Sequence, residues 1–155
     1  MFKKLICTFI AVSFVSIAVV SFAEERNPDR KSSEKLIVDI KFSPLLLLAS
    51  PDNKRFAYMA ENEKKRFVVV DGGKGKNYDA IAGALLFSPD SKYLAYVAQS
   101  DNKQFVVVGA KEEKFYDNII IPTMGRIVFD ASDRFHYLAV MNKGVYLVDV
   151  KIGGN

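Results

Sequence analysis

The chain has 155 residues, a formal net charge of +4, one cysteine, one histidine and no tryptophan. Half of it is hydrophobic, enough for one domain with a real core. No basic run or basic face marks it for nucleic acid, and a lone histidine leaves Ser-His-Asp or Cys-His chemistry a single residue to pass through.

Residues 1–23 read as an export signal. Lys3 and Lys4 precede an apolar run from Leu5 to Val20, and Ser21-Phe22-Ala23 closes it with small residues at −3 and −1. Cleavage is expected between Ala23 and Glu24, giving a periplasmic or secreted chain. The competing reading is an uncleaved anchor, since Leu5 to Ala23 is 19 residues and a spanning helix needs about 20. The membrane is then met only through this segment. Cys7 lies inside the apolar run, which does not suit lipid attachment at its end. Without residues 1–23 the net charge is +2 and no cysteine remains, so stability must come from packing and not from disulfides. Residues 24–35, "EERNPDRKSSEK", hold four acidic and four basic side chains and no large apolar one, and read as a flexible leader.

From residue 36 to 152 the chain repeats itself. Ser50 to Val70, "SPDNKRFAYMAENEKKRFVVV", returns 38 residues later as "SPDSKYLAYVAQSDNKQFVVV", Ser88 to Val108, with 12 of 21 positions identical. Tyr78-Asp79-Ala80-Ile81 likewise returns as Tyr116-Asp117-Asn118-Ile119. A degenerate third copy starts at Phe129-Asp130-Ala131-Ser132, delayed by extra residues near Pro122-Thr123-Met124-Gly125. The units span about 46–83, 84–125 and 126–150. A period near 40 points to a supersecondary unit repeated in space.

Within each unit, Ser50-Pro51-Asp52 and Ser88-Pro89-Asp90 are turn chemistry, with Pro presetting φ and Asp bonding its own backbone. The runs Arg55–Ala60, with Ala57 and Tyr58, and Tyr93–Ala98, with Ala95 and Tyr96, have strand length and composition. Six polar residues follow each, Glu61–Arg66 and Gln99–Gln104, and are expected as charged hairpin loops on one rim. Phe67–Val70 and Phe105–Val108 are the next strands. In the third copy the loop is Asn142-Lys143-Gly144, where Gly144 is expected to supply a positive φ. No stretch of ten residues after Ala23 keeps a 3.6 period, so the chain is all-β. Phe-Val-Val-Val does not alternate as a one-sided strand does. Its sheets must be covered on both faces, copy stacked on copy, as in the antiparallel four-stranded blades of a β-propeller.

The repeated Ser-Pro-Asp-x-Lys-x-x-Ala-Tyr resembles the repeat of TolB-type and WD-like bacterial propellers, found also in the propellers of dipeptidyl-peptidase-like enzymes. The resemblance covers Leu46 to Val150. Two departures are the absence of a Trp-Asp pair and the replacement of the usual Gly after Ser-Pro-Asp by Asn53 and Ser91. Three units make an incomplete ring, with the third about one strand short. Leu36–Lys41 echoes Tyr146–Lys151 and is expected as a strand that finishes a preceding blade or joins the last one. An open arc exposes two apolar faces, which a second copy would cover by completing a six-bladed ring; a fragment of a longer propeller protein is the alternative.

The chemistry-bearing residues assign no catalytic group, cofactor or metal. His136 sits in "RFHYLAV" and reads as a half-buried strand residue, and no Gly-x-Ser-x-Gly elbow is present. "DGGKGK", Asp71 to Lys76, lacks the spacing of a phosphate loop and reads as a turn. Asp52, Asp71, Asp79, Asp90 and Asp117 recur singly, as turn caps do. Tyr78-Asp79 and Tyr116-Asp117 read as ties between units. These features, with the TolB-type resemblance, imply a non-enzymatic, exported interaction module whose partner is an envelope protein or a second copy. A small-molecule or glycan binder is the other reading.

Overall fold

The structure is a computed structural model that describes residues 31–120 and 127–153. The export segment, its Ala23/Glu24 junction, most of the leader and the Pro122–Gly125 insertion lie outside the described residues. Lys35–Asn155 forms one compact unit, and residues 31–34 are exposed coil. Among the described residues there is no helix, and the chain is all-β, built from three antiparallel four-stranded sheets.

The first sheet holds β1 (Pro44–Ala49), β2 (Phe56–Asn62), β3 (Lys65–Val70) and β4 (Gly73–Lys74), in that order. The second repeats it with β5 (Ala80–Phe87), β6 (Leu94–Ser100), β7 (Lys103–Val108) and β8 (Lys111–Glu112). The third reaches four strands by another route. β9 (Asn118–Ile119) and β10 (Val128–Ala131) both pair with β11 (Arg134–Met141), and β12 (Gly144–Lys151) follows on its other side. β9 and β10 thus share the place that β5 fills alone. No partner for β12 at the place of β4 and β8 occurs among the described residues.

The Phe-Val-Val-Val runs are apolar because both faces are covered. In β7, Phe105 and Val107 pack toward the first sheet, beside Ala57 and Val68, while Val106 and Val108 pack toward Phe135, Tyr137 and Ala139 of the third. All four are 5 % exposed or less. In β3, Val68 and Val70 face the second sheet, and Phe67 and Val69 join Tyr58 and Ala60 on the far side.

Three local expectations need correction. Glu61–Arg66 and Gln99–Gln104 are not six-residue loops. The strands pair to Asn62↔Lys65 and Ser100↔Lys103, leaving two-residue turns at Glu63-Lys64 and Asp101-Asn102. Both members of each have φ between 49° and 62°, the mirror-turn geometry that matches the twist of flanking strands. The third hairpin turns on Asn142 (φ 51°) and Lys143 (φ 64°), so Gly144 starts β12 and does not make the turn. Its role there is spatial, since a Cβ would lie 3.1 Å from the Tyr146 ring.

The third correction concerns Leu36–Lys41, which is coil and pairs with no sheet. Val38 and Phe42 pack on the Tyr58, Ala60, Phe67 and Val69 face instead, Phe42 meeting Phe67 edge-on at 5.0 Å. Among the described residues no sheet precedes that face, and burying two apolar side chains against it offsets the missing backbone pairing in water. Leu36, Ile37, Asp39, Ile40 and Lys41 stay exposed, so only Val38 and Phe42 of this segment cover the face, and its outer side mixes apolar and charged side chains.

Candidate functional site

The repeated motifs become joints between sheets. Ser50 and Ser88 are buried, each accepting a backbone N–H (Arg55 at 2.9 Å, Tyr93 at 3.0 Å) and donating to Asp52 (2.6 Å) or Asp90 (2.7 Å). Those hydroxyls hold both carboxyls below their ordinary range. Asn53 (φ 54°) and Ser91 (φ 65°) hold the left-handed backbone that glycine adopts without strain. Adjacent turns touch, with the Asp52 N–H donating to the Ser91 hydroxyl at 3.2 Å and Arg55 to the Ser91 carbonyl at 3.0 Å.

Tyr78-Asp79 and Tyr116-Asp117 clasp the opposite end. Tyr78 exchanges backbone bonds with Arg66, as Tyr116 does with Gln104. Asp79 pairs with Lys65 of the first sheet and accepts the Asp101 N–H of the second at 3.0 Å. Asp117 repeats this with Lys103 and the Asn142 N–H, at 2.9 Å. These contacts pull both carboxyls below the ordinary value, the lysine first and the backbone N–H second. Both tyrosines and both aspartates are therefore spent on joints.

The "DGGKGK" stretch is a turn into β4, with Asp71 (φ 50°) and Gly72 (φ 85°) at its tip. Asp71 caps the Phe56 N–H at 3.0 Å and pairs with Arg55 at 2.8 Å, so a carboxylate occupies the loop where a phosphate site needs free donors. Beside it an open cleft of about 530 Å³ lies between the first two sheets, bordered by Arg55, Lys74, Lys92, Tyr93 and Tyr96. Its cations are engaged: Arg55 by Asp71, Lys92 by Asp90 at 3.1 Å, and Lys74 over the Phe67 ring at 4.1 Å.

The outer face of the third sheet carries exposed apolar side chains, as β1 of the first sheet does at Leu45 and Leu47. Cross-strand pairing puts Leu138 opposite Leu147, Val140 opposite Val145, and Val128 and Asp149 on either side of His136. Aligning the hairpin ends Ser100 and Met141 makes Leu138 and Leu147 the counterparts of Val97 and Val106. Val97 and Val106 are 4 % and 0 % exposed, whereas Leu138 and Leu147 are 42 % and 63 % exposed. At one end of this apolar face His136 Nδ1 meets Asp130 at 2.7 Å, and Asp149 completes a group whose ligand atoms lie within 4.8 Å of one another. His136 is a half-buried strand residue, but its two carboxylate neighbours escaped the sequence reading. They are 6 and 13 residues away, and only the pairing register brings them together. The available signal was the repeat itself, which has Ala95 and Val108 at the matching cross-strand pair.

No family model, no curated protein and no solved structure matches this chain.

Proposed function

We propose that this chain is an exported, non-enzymatic interaction module built on propeller-type blades, and that it binds through the outer face of its third sheet. The observation that carries the reading is the exposure of Leu138 and Leu147 at positions that the preceding sheet keeps buried. With Val128 and Val145 they form a contiguous apolar surface on a rigid ladder, the kind of patch that marks an interface. The partner is a second copy. The face that would receive the third sheet in a closing ring already carries Val38 and Phe42, so a ring needs that segment displaced. Pairing third sheet to third sheet needs no displacement and gives a closed, self-complementary dimer.

Export is supported by the basic, apolar and small-residue order of residues 1–23, and the blade assignment by the Ser-Pro-Asp repeat that resembles TolB-type propellers. Sedimentation of the chain tests the reading. A dimer at micromolar concentration that becomes a monomer in Leu138→Lys and Leu147→Lys supports it. A monomer throughout, or a dimer indifferent to both substitutions, overturns it. The second reading, a small-molecule or glycan binder, rests on the open cleft beside Tyr93 and Tyr96. A thermal shift produced by a sugar, and lost in Tyr93→Ala, would favour it.

A further inference from the structure

We propose that Asp130, His136 and Asp149 form a binding site for a divalent transition cation, of which zinc is the representative. They come from three neighbouring strands, β10, β11 and β12. His136 and Asp149 are direct cross-strand partners, and Asp130 reaches His136 Nδ1 at 2.7 Å. One ligand atom from each lies within 4.8 Å of the other two. A tetrahedral zinc with bonds near 2.0–2.2 Å holds its ligand atoms about 3.4 Å apart. Rotation of two exposed carboxylates closes that difference, since the hydrogen-bonded ladder already fixes the strands beneath them.

The repeat supplies an independent argument. The cross-strand pair at this place is Ala57↔Val70 in the first sheet and Ala95↔Val108 in the second, and becomes His136↔Asp149 in the third. Likewise the residue after the aromatic end of the preceding strand is Ser88 following Phe87, but Asp130 following Phe129. All three changes fall in one copy and converge on one point. Solvation of a terminal sheet does not account for them, because the rest of the face keeps Val128, Leu138, Val145 and Leu147 exposed. A His–Asp ion pair accounts for Asp130 and His136 and leaves Asp149 unexplained.

The donor set selects the metal class. One imidazole nitrogen and two carboxylates suit zinc, cobalt or nickel, whereas calcium and magnesium take six or more oxygens. Three protein ligands on an outward face leave a fourth position to water, or to a donor from a docked molecule. The site lies at one end of the face proposed above for association, and its test reads metal binding at the imidazole and not association.

The experiment is titration of the full untagged chain with zinc chloride, followed by calorimetry and by NMR of the imidazole. The chain has a single histidine, so one set of imidazole signals reports directly on the site. The expected result is saturable one-to-one binding, a shift of those signals, and a melting temperature that rises with zinc and not with magnesium. Asp149→Asn is expected to weaken binding at least tenfold and His136→Ala to abolish it. Unshifted imidazole signals at saturating zinc overturn the site, as does zinc binding that survives both substitutions unchanged.

Discussion

The Asp79 carboxylate accepts the backbone N–H of Asp101 at 3.0 Å, so a residue in the connection leaving the first sheet caps the hairpin turn of the second. Its other oxygen holds Lys65, in the first sheet's own hairpin. Asp117 performs the same two tasks one repeat later. One short side chain thus ties two sheets at the end where each turn has its backbone in the left-handed region.

Replacing Asp79 or Asp117 by alanine is expected to lower the melting temperature by several degrees, and the pair together by more than either alone. The joints also set an acid limit. Both carboxyls have lowered values in the folded chain, first from the lysine and then from the backbone N–H. The folded state therefore binds fewer protons than the unfolded one. Their contribution is fully present above the ordinary carboxyl value of about 3.9 and is lost as pH falls through the lowered folded values. Thermal melts between pH 3 and pH 7 check this: the double alanine variant should lie closest to wild type at the acid end. A constant gap across that range would remove the joints from the account.

Ser88 is completely buried and its hydroxyl serves two groups, accepting from Tyr93 N–H at 3.0 Å and donating to Asp90 at 2.7 Å. Alanine leaves a backbone donor without its partner, at a cost of about 1–3 kcal/mol. Urea denaturation of Ser88→Ala should show a lower midpoint with an unchanged slope. Stability equal to wild type would mean that water replaces the hydroxyl.

The hairpin turns offer a gain. Glu63 and Lys64 sit at φ 50° and 62°, a conformation that L side chains adopt at a cost of about 1–2 kcal/mol and glycine adopts freely. Lys64→Gly should therefore stabilise, by about 0.5–1 kcal/mol once the added freedom of the unfolded chain is subtracted. A destabilised variant would show that the lysine side chain makes a contact worth more than the strain.

What could be read from the sequence follows from what each signal depends on. The all-β class and the stacking of sheets were legible in Phe105-Val106-Val107-Val108, because a run buried on both faces loses its alternation locally. Glu63, Lys64 and Lys143 do not announce a left-handed backbone, and the strands overrule their preferences; Asp101-Asn102 and Asn142 do carry that signal. Leu36–Lys41 has a strand-like apolar pattern, but Leu36, Ile37 and Ile40 are exposed, and only Val38 is partly buried, without joining a ladder. The Asp130, His136 and Asp149 group depends on register across two hairpins, which a single chain's pattern does not carry.

Tyr137 separates burial from hydrogen bonding. Its ring is 3 % exposed, stacked near Phe135 at 6.1 Å, and among the described residues its hydroxyl has no hydrogen-bond partner. Tyr78, also 3 % exposed, donates to Glu112 at 3.1 Å, and burial raises its ionisation well above the ordinary tyrosine value, so it remains a donor at any working pH. The two should respond oppositely to loss of the oxygen. Tyr78→Phe gives up a bond to a carboxylate and should cost about 1–2 kcal/mol. Tyr137→Phe gives up none and removes an unsatisfied polar atom, so it should be neutral or stabilising by up to about 1 kcal/mol. Paired denaturation curves in the same buffer decide the matter, and a loss in Tyr137→Phe as large as that in Tyr78→Phe would require a partner for the Tyr137 hydroxyl.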